Sequence, residues 1–435
     1  MTAPDAPVNA ITDDEFRVPV ARLLAMTPVG IVVGAFCAVS LWALSALAGV
    51  LQRLVWDDLS QAVGLSADSS WWILLVLTVT GLLVGLVVRY APGHAGPDPA
   101  TTELVAAPEP PGTVPGLAVA LVLMLAGGVS LGPENPIMAI NAALVVAAGV
   151  KYLPRTAVPE WVGLSTSATI GAMFGTPVSA ALLLTESADG DRRIPLWNRL
   201  YLPLVAAATG SFVMLRFTDL DLSIGLPAED VGGVVDVLLA VAVAVVVAAV
   251  GVAASLVFDP LHRFVHRLRN PVVLLTVAGV VLGLLGVLGG PITLFKGLDE
   301  LKELPGELPS TTAAGFVAMA GVKLVALLVA STAGFRGGRI FPAVFIGAAL
   351  GFGVHALWTE VPLTLAVTAA VVGIVVAATR NGWVSLFLAL AVVPQMNLLV
   401  PLLFATLAAW LVVANRPELR AEPIDEPDAS GPHAA

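Results

Sequence analysis
The sequence predicts an all-α polytopic membrane protein whose second half repeats its first, and three observations carry that prediction. Composition is one: 58% of the residues are hydrophobic and only 12% charged, with a mean hydropathy of +0.94. Soluble domains carry about a quarter charged residues, so lipid is the solvent that fits. Length is another. Crossing the hydrocarbon as helix takes roughly 20 apolar residues, and Thr27–Leu51, Trp72–Val88, Val237–Phe258 and Pro271–Phe295 each run without Asp, Glu, Lys or Arg. The third is internal repetition. Gly128–Leu144 (GVSLGPENPIMAINAAL) and Gly334–Leu350 (GFRGGRIFPAVFIGAAL) share Gly, Gly, Pro and Ile at four-residue steps and then Ala-Ala-Leu. Pro136 and Pro342 lie 206 positions apart, and the same offset carries Val178-Ser179 onto Val384-Ser385. One shift across two separated blocks is the signature of a duplicated unit.

Residues 1–26 read as a polar tail holding Asp13, Asp14 and Glu15, with no signal-peptide pattern. The loop between the spans Thr27–Leu51 and Trp72–Val88 carries Asp57, Asp58 and Asp68 against Arg53, and Arg89 follows the second span. The positive-inside rule puts that loop outside and Arg89 inside. Basic loops at Asp191–Arg199 and His262–Arg269 flank the spans Leu200–Phe217 and Val237–Phe258. Both loops therefore face the cytoplasm, and the acidic segment Asp219–Asp230 faces out. The organisation expected is a cytoplasmic tail 1–26, membrane repeats 27–217 and 218–415, and an acidic cytoplasmic tail 416–435, in the cell membrane. A net charge of −10 argues against a nucleic-acid partner. Cys37 stands alone, which excludes an intrachain disulfide and any Cys-based metal cluster. No metal or other cofactor is expected.

The stretch Ala91–Pro115 is too rich in Pro to be helical throughout and reads as a linker. Beyond it, Gly116–Leu131, Pro136–Val150, Trp161–Phe174 and Pro177–Thr185 are short and broken by Gly, Pro and Asn. The second half breaks likewise at Gly334–Gly338, Asn381-Gly382, Pro394 and Pro401. A membrane tolerates loose backbone only where it lines a cavity or is buried in protein, and matching interruptions in two halves point to a site near the midplane. Pro136 and Pro342 suit a first helical turn, where backbone N–H groups lack helical partners. Each such end acts as about half a positive charge and stabilises a partly buried anion by up to ~2 kcal/mol. Four ends, before Pro136, Pro177, Pro342 and Trp383, are expected to face one small anion. Gly128, Gly132, Gly334 and Gly338 let backbone approach it closely.

Glu134 lies just ahead of Pro136, at the positive end of a helix, so its carboxylate could occupy the anion position itself and act as a gate. The alternative is an exposed loop carboxylate between helices. His262 and His266 share one helical face, as metal ligands do, but Arg263, Arg267 and Arg269 among them read as a basic loop. Arg336 and Arg339 read either as raising local anion concentration or as orientation charges. Lys296 and Lys323 border or enter apolar runs and are expected to snorkel. Trp71, Trp72 and Trp358 read as interface anchors.

The motif Gly132-Pro133-Glu134-Asn135-Pro136 followed by GTPVSAALLLTE resembles the CLC family of chloride channels and proton-coupled chloride exchangers. GGRIFPAVFIGAALG resembles the family's other filter helix, and ATRNGWVSLFLALAVVP its partner. The likeness runs from about Thr27 to Arg416, with GHAGPDP, GGVSLGPE and GFRGGRIFP shared by a bacterial branch that lacks the family's CBS domains. It implies a fold of two inverted-topology repeats with broken helices, a homodimer with one pore per subunit, and Glu134 as the gating glutamate. It also implies an anion-binding set of Gly132, Pro133, Asn135, Gly338, Arg339, Ile340 and Phe341, with Gly93, His94, Ala95 and Gly96 in the family's Gly-Ser-Gly-Ile-Pro loop.

The departures matter as much. That loop here reads Gly93-His94-Ala95-Gly96-Pro97, without the family's Ser; His94 is either its stand-in or a solvated loop residue. The filter Tyr is matched by Leu419, and the Phe of the family's Gly-x-Phe-x-Pro comes one place late, at Phe341. Exchangers carry two adjacent acids where this chain has Glu186 and then Ser187. Glu186 is the candidate for a proton pathway, and Ser187 tips the balance towards passive conduction. The fluoride-exporting branch also lacks the Ser and Tyr. The expectation is transport of a small inorganic anion, chloride first, across the lipid bilayer; the alternatives are a proton-coupled chloride or fluoride antiporter and a non-transporting scaffold subunit. An intramembrane enzyme is disfavoured, since there is no HExxH, no Gly-x-Ser-x-Gly and no pair of membrane-embedded Asp.

Overall fold
Among the described residues, seven helices of ten residues or more and then seven others follow in an order that repeats. The computed structural model describes residues 19–102, 107–186, 194–218 and 222–423. The expectations placed on Asp13–Glu15, Ser187, Asp191–Arg193, Asp219 and the acids beyond Pro423 lie outside the described residues. Among those described, the helices of ten residues or more begin with α1 (Val20–Ala62), α2 (Ser70–Tyr90), α3 (Val114–Ala126), α4 (Glu134–Tyr152), α5 (Val158–Phe174), α6 (Pro177–Glu186) and α7 (Leu196–Phe217). They continue with α8 (Val234–Val265), α9 (Pro271–Gly289), α10 (Ala313–Thr332), α11 (Ile340–Leu357), α12 (Leu363–Thr379), α13 (Gly382–Val392) and α14 (Leu399–Val413). Nine of the described helices are long and apolar enough to cross a membrane; α3, α12 and α13 are shorter apolar helices.

The duplication extends to single hydrogen bonds. Val129 N–H donates to the Met124 carbonyl and Leu131 N–H to that of Val129; 206 positions on, Phe335 donates to Ala330 and Gly337 to Phe335. Gly128 and Gly334 hold the same left-handed corner, with φ of +81° and +86°. α4 and α11, which follow these loops, start at the same offset. The copies are inverted with respect to each other. α2 packs on its counterpart α9 with Gly81 against Leu275 and Gly279, and Gly283 against Leu74, so early residues of one meet late residues of the other.

Small residues set that approach, as they must where lipid supplies no hydrophobic drive between helices. A Cβ on Gly81 would run into the Leu275 carbonyl oxygen, and one on Gly279 into that of Leu77. Several sequence expectations shift in extent. α1 begins at Val20, ahead of Thr27. α9 stops at Gly289, so Pro291–Phe295 is not span. α4 and α11 each run longer than the short segments expected there, with 19 and 18 residues. α8 continues through His262 and Arg263, so the expected basic loop begins within its last turn, and His262 is buried.

The close α2/α9 contact predicts that Gly81→Leu lowers the thermal unfolding temperature in detergent, by an overpacking cost of about 1–3 kcal/mol. An unchanged transition, followed by size-exclusion of heated samples, would contradict the packing described.

Candidate functional site
The two repeats meet backbone to backbone at residues related by the repeat offset. Gly132 N–H donates to the Gly338 carbonyl at 2.9 Å, and Gly338 N–H returns a bond to Gly132 at 2.7 Å. This antiparallel bridge is the isolated β pairing among the described residues. α4 and α11 start just past it, which brings Pro136 and Pro342, each third in its helix, into one neighbourhood as the motif spacing predicts. Pro133 is the N-cap of α4 and Arg339 that of α11.

Glu134 fills the space between the two helix ends. Its side chain is fully buried, and Oε1 accepts the Phe341 N–H at 2.7 Å. Phe341 is the second residue of α11, so the carboxylate lies on an amide that the helix cannot pair. Oε2 is buried without a hydrogen-bond partner. Both bridge glycines border the carboxylate, and a Cβ on Gly132 or Gly338 would overlap it. Glycine at these positions is therefore a requirement of space. The late Phe of GRIFP contributes its backbone amide, and its ring packs edge-on against Phe174 at 5.6 Å.

Two buried cations hold the loops on either side. Arg336 donates from Nε to the Ala95 carbonyl, from Nη1 to Gly334 and from Nη2 to His94 and Gly96, at 2.8–3.0 Å. The four residues of the 93–96 loop, three of them its partners, adopt successive positive φ values, from +54° at His94 to +78° at Gly96, a strained run for the non-glycine residues. The other loop, which belongs to the second repeat, is held by Lys323, whose Nζ donates to the carbonyls of Thr293, Leu294 and Phe295 at 3.0, 2.5 and 2.8 Å. Lys323 is fully buried, a correction to the expected snorkelling: three carbonyls already satisfy its ammonium. The loops after α2 and α9 are thus each closed on a buried cation, and Phe295 N–H ties the second of them to Gly128.

Arg336 is accordingly committed to carbonyls, neither a free attractor nor an orientation charge. Arg339 lies over the Phe258 ring at 5.7 Å, with Nη1 buried and unpartnered. Gly93 and His94 are exposed, and the His94 ring contacts the Val88 carbonyl, as a solvated loop histidine does. Ala95, Gly96, Asn135, Pro136, Thr166 and Arg336 line a cavity of about 50 Å³, with room for a few water-sized guests. The Asn135 Nδ2 donor beside it is buried without a partner. Glu186 is the last residue of α6. Of the four helix ends expected to converge, those of α4 and α11 do. The α13 end is met locally, since the Asn381 side chain accepts the Val384 N–H at 2.7 Å.

Below the 93–96 loop, on the face that carries His266–Arg269, Asp98 meets the end of α8. Asp98 Oδ2 lies 2.8 Å from His262 Nε2 and 3.5 Å from His266 Nε2. Burial by itself would push the Asp98 carboxyl up, but the His262 hydrogen bond, the Arg336 charge and the Ala100 N–H together hold it below the usual carboxylate range. Burial, aided by the charge of His262, pushes the His266 imidazole below its ordinary value. Residues 416–422 close this face. Arg380 donates to the carbonyls of Val413, Arg416 and Pro417, Ala421 N–H bonds Ala100, and Leu419 is buried. The first part of the expected acidic tail is therefore docked on the helices.

Helices interrupted at matched places, inverted about a buried crossing and starting there in both repeats define a membrane protein of the broken-helix, inverted-repeat class. Residues 80–414 match the family described as voltage gated chloride channel, and the chain belongs to that family, the CLC proteins. It is 46% identical over 405 residues to the "Putative ion-transport protein YfeO" of Salmonella schwarzengrund, covering 93% of this chain and 98% of that one. The same identity and coverage hold for the protein of that name from Salmonella typhimurium. Among solved structures, a CLC-type fluoride/proton antiporter superposes with a TM-score of 0.73 at 17% identity, over 92% of this chain and all of that one. A slow cyanobacterial Cl⁻/H⁺ antiporter superposes with a TM-score of 0.72 at 14% identity, over 91% and 95%. At such identities these two speak for the fold.

The Arg336 clamp predicts that Arg336→Lys, which keeps the charge but loses the planar fork, costs at least ~2 kcal/mol through buried carbonyls left unpaired. It is also expected to speed proteolysis within residues 91–102. Wild-type melting and cleavage in that variant would count against the clamp.

Proposed function
We propose that the protein carries small inorganic anions, chloride first among them, across the cell membrane, through a pore at the crossing of its two repeats that the Glu134 carboxylate closes. One observation carries this reading: the carboxylate rests on the Phe341 amide at the start of α11, the place that a bound anion would take. A carboxylate and a halide compete for the same donors, so withdrawal of Glu134, by protonation or by displacement, frees the amide for the ion. Gly132, Pro133, Gly338, Arg339, Ile340 and Phe341 frame that position. Asn135, with its unpartnered Nδ2 on the adjoining cavity, offers the ion a next donor, in a part of the pathway where the family's serine is missing.

Dipoles rather than full charges suit a conductor. Each helix end stabilises an anion by up to ~2 kcal/mol, enough to draw it in and little enough to release it. The Ala95 and Gly96 backbone at the cavity contributes shape and the placement of Arg336. The reading includes a homodimer of two-repeat subunits (27–217 and 218–415) with both termini cytoplasmic, and no enzymatic step. Passive conduction is favoured over proton coupling by the Ser that follows Glu186.

The test is anion efflux from liposomes containing the purified protein, run in chloride, nitrate and fluoride with external pH recorded. Wild type is expected to release chloride, and Glu134→Gln and Glu134→Ala to change both the rate and its dependence on pH. Absence of flux in every anion would favour the scaffold, and flux in the variants identical to wild type at all pH values would remove the gate. Uphill proton movement driven by a chloride or fluoride gradient would replace conduction with exchange.

A further inference from the structure
The Asp98, His262 and His266 side chains form a cluster that the anion pathway does not use. His262 and His266 are one turn apart at the end of α8, with ring centroids 4.1 Å from each other, and Asp98 reaches them from the segment after α2. One carboxylate oxygen and the two imidazole Nε2 atoms all lie within 4.8 Å of one another. Sequence shows the histidine pair but not its third member, 164 residues away.

Hydrogen bonds around the cluster orient its donor atoms towards one another. The His262 carbonyl lies 3.0 Å from His266 Nδ1, and a carbonyl only accepts, so the ring proton of neutral His266 is on Nδ1. His266 Nε2 is then a bare lone pair, aimed at a carboxylate oxygen 3.5 Å away. Two electron-pair donors facing each other are joined by a cation, either a proton on Nε2 or a metal ion, and the three donor atoms lie close enough together to share the latter. The backbone bond on Nδ1 is also the arrangement that orients a metal-bound imidazole. Nearby guanidinium groups have other partners: Arg336 donates to carbonyls, and Arg263 pairs with Asp259 and Glu422.

We propose that Asp98, His262 and His266 bind one divalent transition-metal ion of the zinc class. Two imidazole nitrogens and one carboxylate oxygen are a ligand set that zinc takes, with water in the remaining position. When the ion binds, His262 presents an unprotonated Nε2 and carries its one ring proton on Nδ1, since only the bare nitrogen of a neutral imidazole ligates; an imidazolium would release its second proton to solvent. The ion links the end of α8 to the segment that continues from the loop clamped by Arg336. It is a brace on one face of the protein, and it stands whether or not the pore transports.

The experiment is titration of the purified, tag-free protein, stripped with chelator, with Zn²⁺ by calorimetry and with Co²⁺ by visible absorption. One equivalent of Zn²⁺ per chain, a tetrahedral Co²⁺ spectrum and a raised unfolding temperature are expected. His262→Gln and His266→Gln, which keep an amide donor in place of the ring, are each expected to weaken binding by about tenfold or more and to abolish the thermal shift. His355→Gln, on a distant helix, is expected to behave as wild type. Failure of wild type to bind a stoichiometric ion overturns the proposal even if the variants misfold, and so does wild-type affinity in His266→Gln.

Discussion
Two backbone hydrogen bonds between Gly132 and Gly338 set the geometry of everything around them. Each of these residues ends a loop that cannot be helix, because a left-handed glycine, Gly128 or Gly334, stands four residues before it. The loose backbone of each loop is satisfied by the other, which is how non-helical chain survives inside a membrane protein. With those two amides paired to each other, the amides of the first turns that follow remain. One of them, on Phe341, takes the Glu134 carboxylate. Any side chain at 132 or 338 would displace that group, so the same two residues both join the repeats and make room at the join.

The loops flanking this crossing are stabilised by buried cations rather than by regular structure. Arg336 and Lys323 each collect consecutive carbonyls from a loop that follows one of two counterpart helices, α2 and α9. The choice of residue follows geometry. A guanidinium presents several donors in a plane and can bridge oxygens spread along a left-handed turn, whereas an ammonium suits three oxygens around one point. A buried cation is costly unless its hydrogen bonds are made, and here they are made to backbone, which leaves the arrangement insensitive to the side chains of the loops themselves. The loop's shape is held through its carbonyls, whatever side chain stands at position 94.

How much of this was readable beforehand follows from the range of each interaction. Composition, the apolar runs and the 206-residue offset were local or self-comparing signals, and they led to the helical membrane fold and the crossing of the two motifs. Glu134 stood out because an acid beside two prolines in an apolar stretch has few uses. What sequence concealed depends on contacts between distant segments. Arg336 looked like a free charge until the 93–96 loop came to it from 240 residues away. Lys323 looked like a snorkelling surface residue until the 293–295 carbonyls enclosed it. The helix start at Asn381 is closed by a local signal, since an Asn before Gly-Trp-Val is a capping residue, and its side chain takes the Val384 amide.

The docked segment 416–422 has a consequence for how the molecule is made. It follows the fourteen helices named above, yet it bonds to Ala100 in the first repeat and to Asp259 and Arg263 at the end of α8. All of those partners leave the ribosome earlier and wait for it. That face of the protein therefore closes only once residues 416–422 have been made, and a chain that stopped short of them would lack this latch between the first repeat and α8.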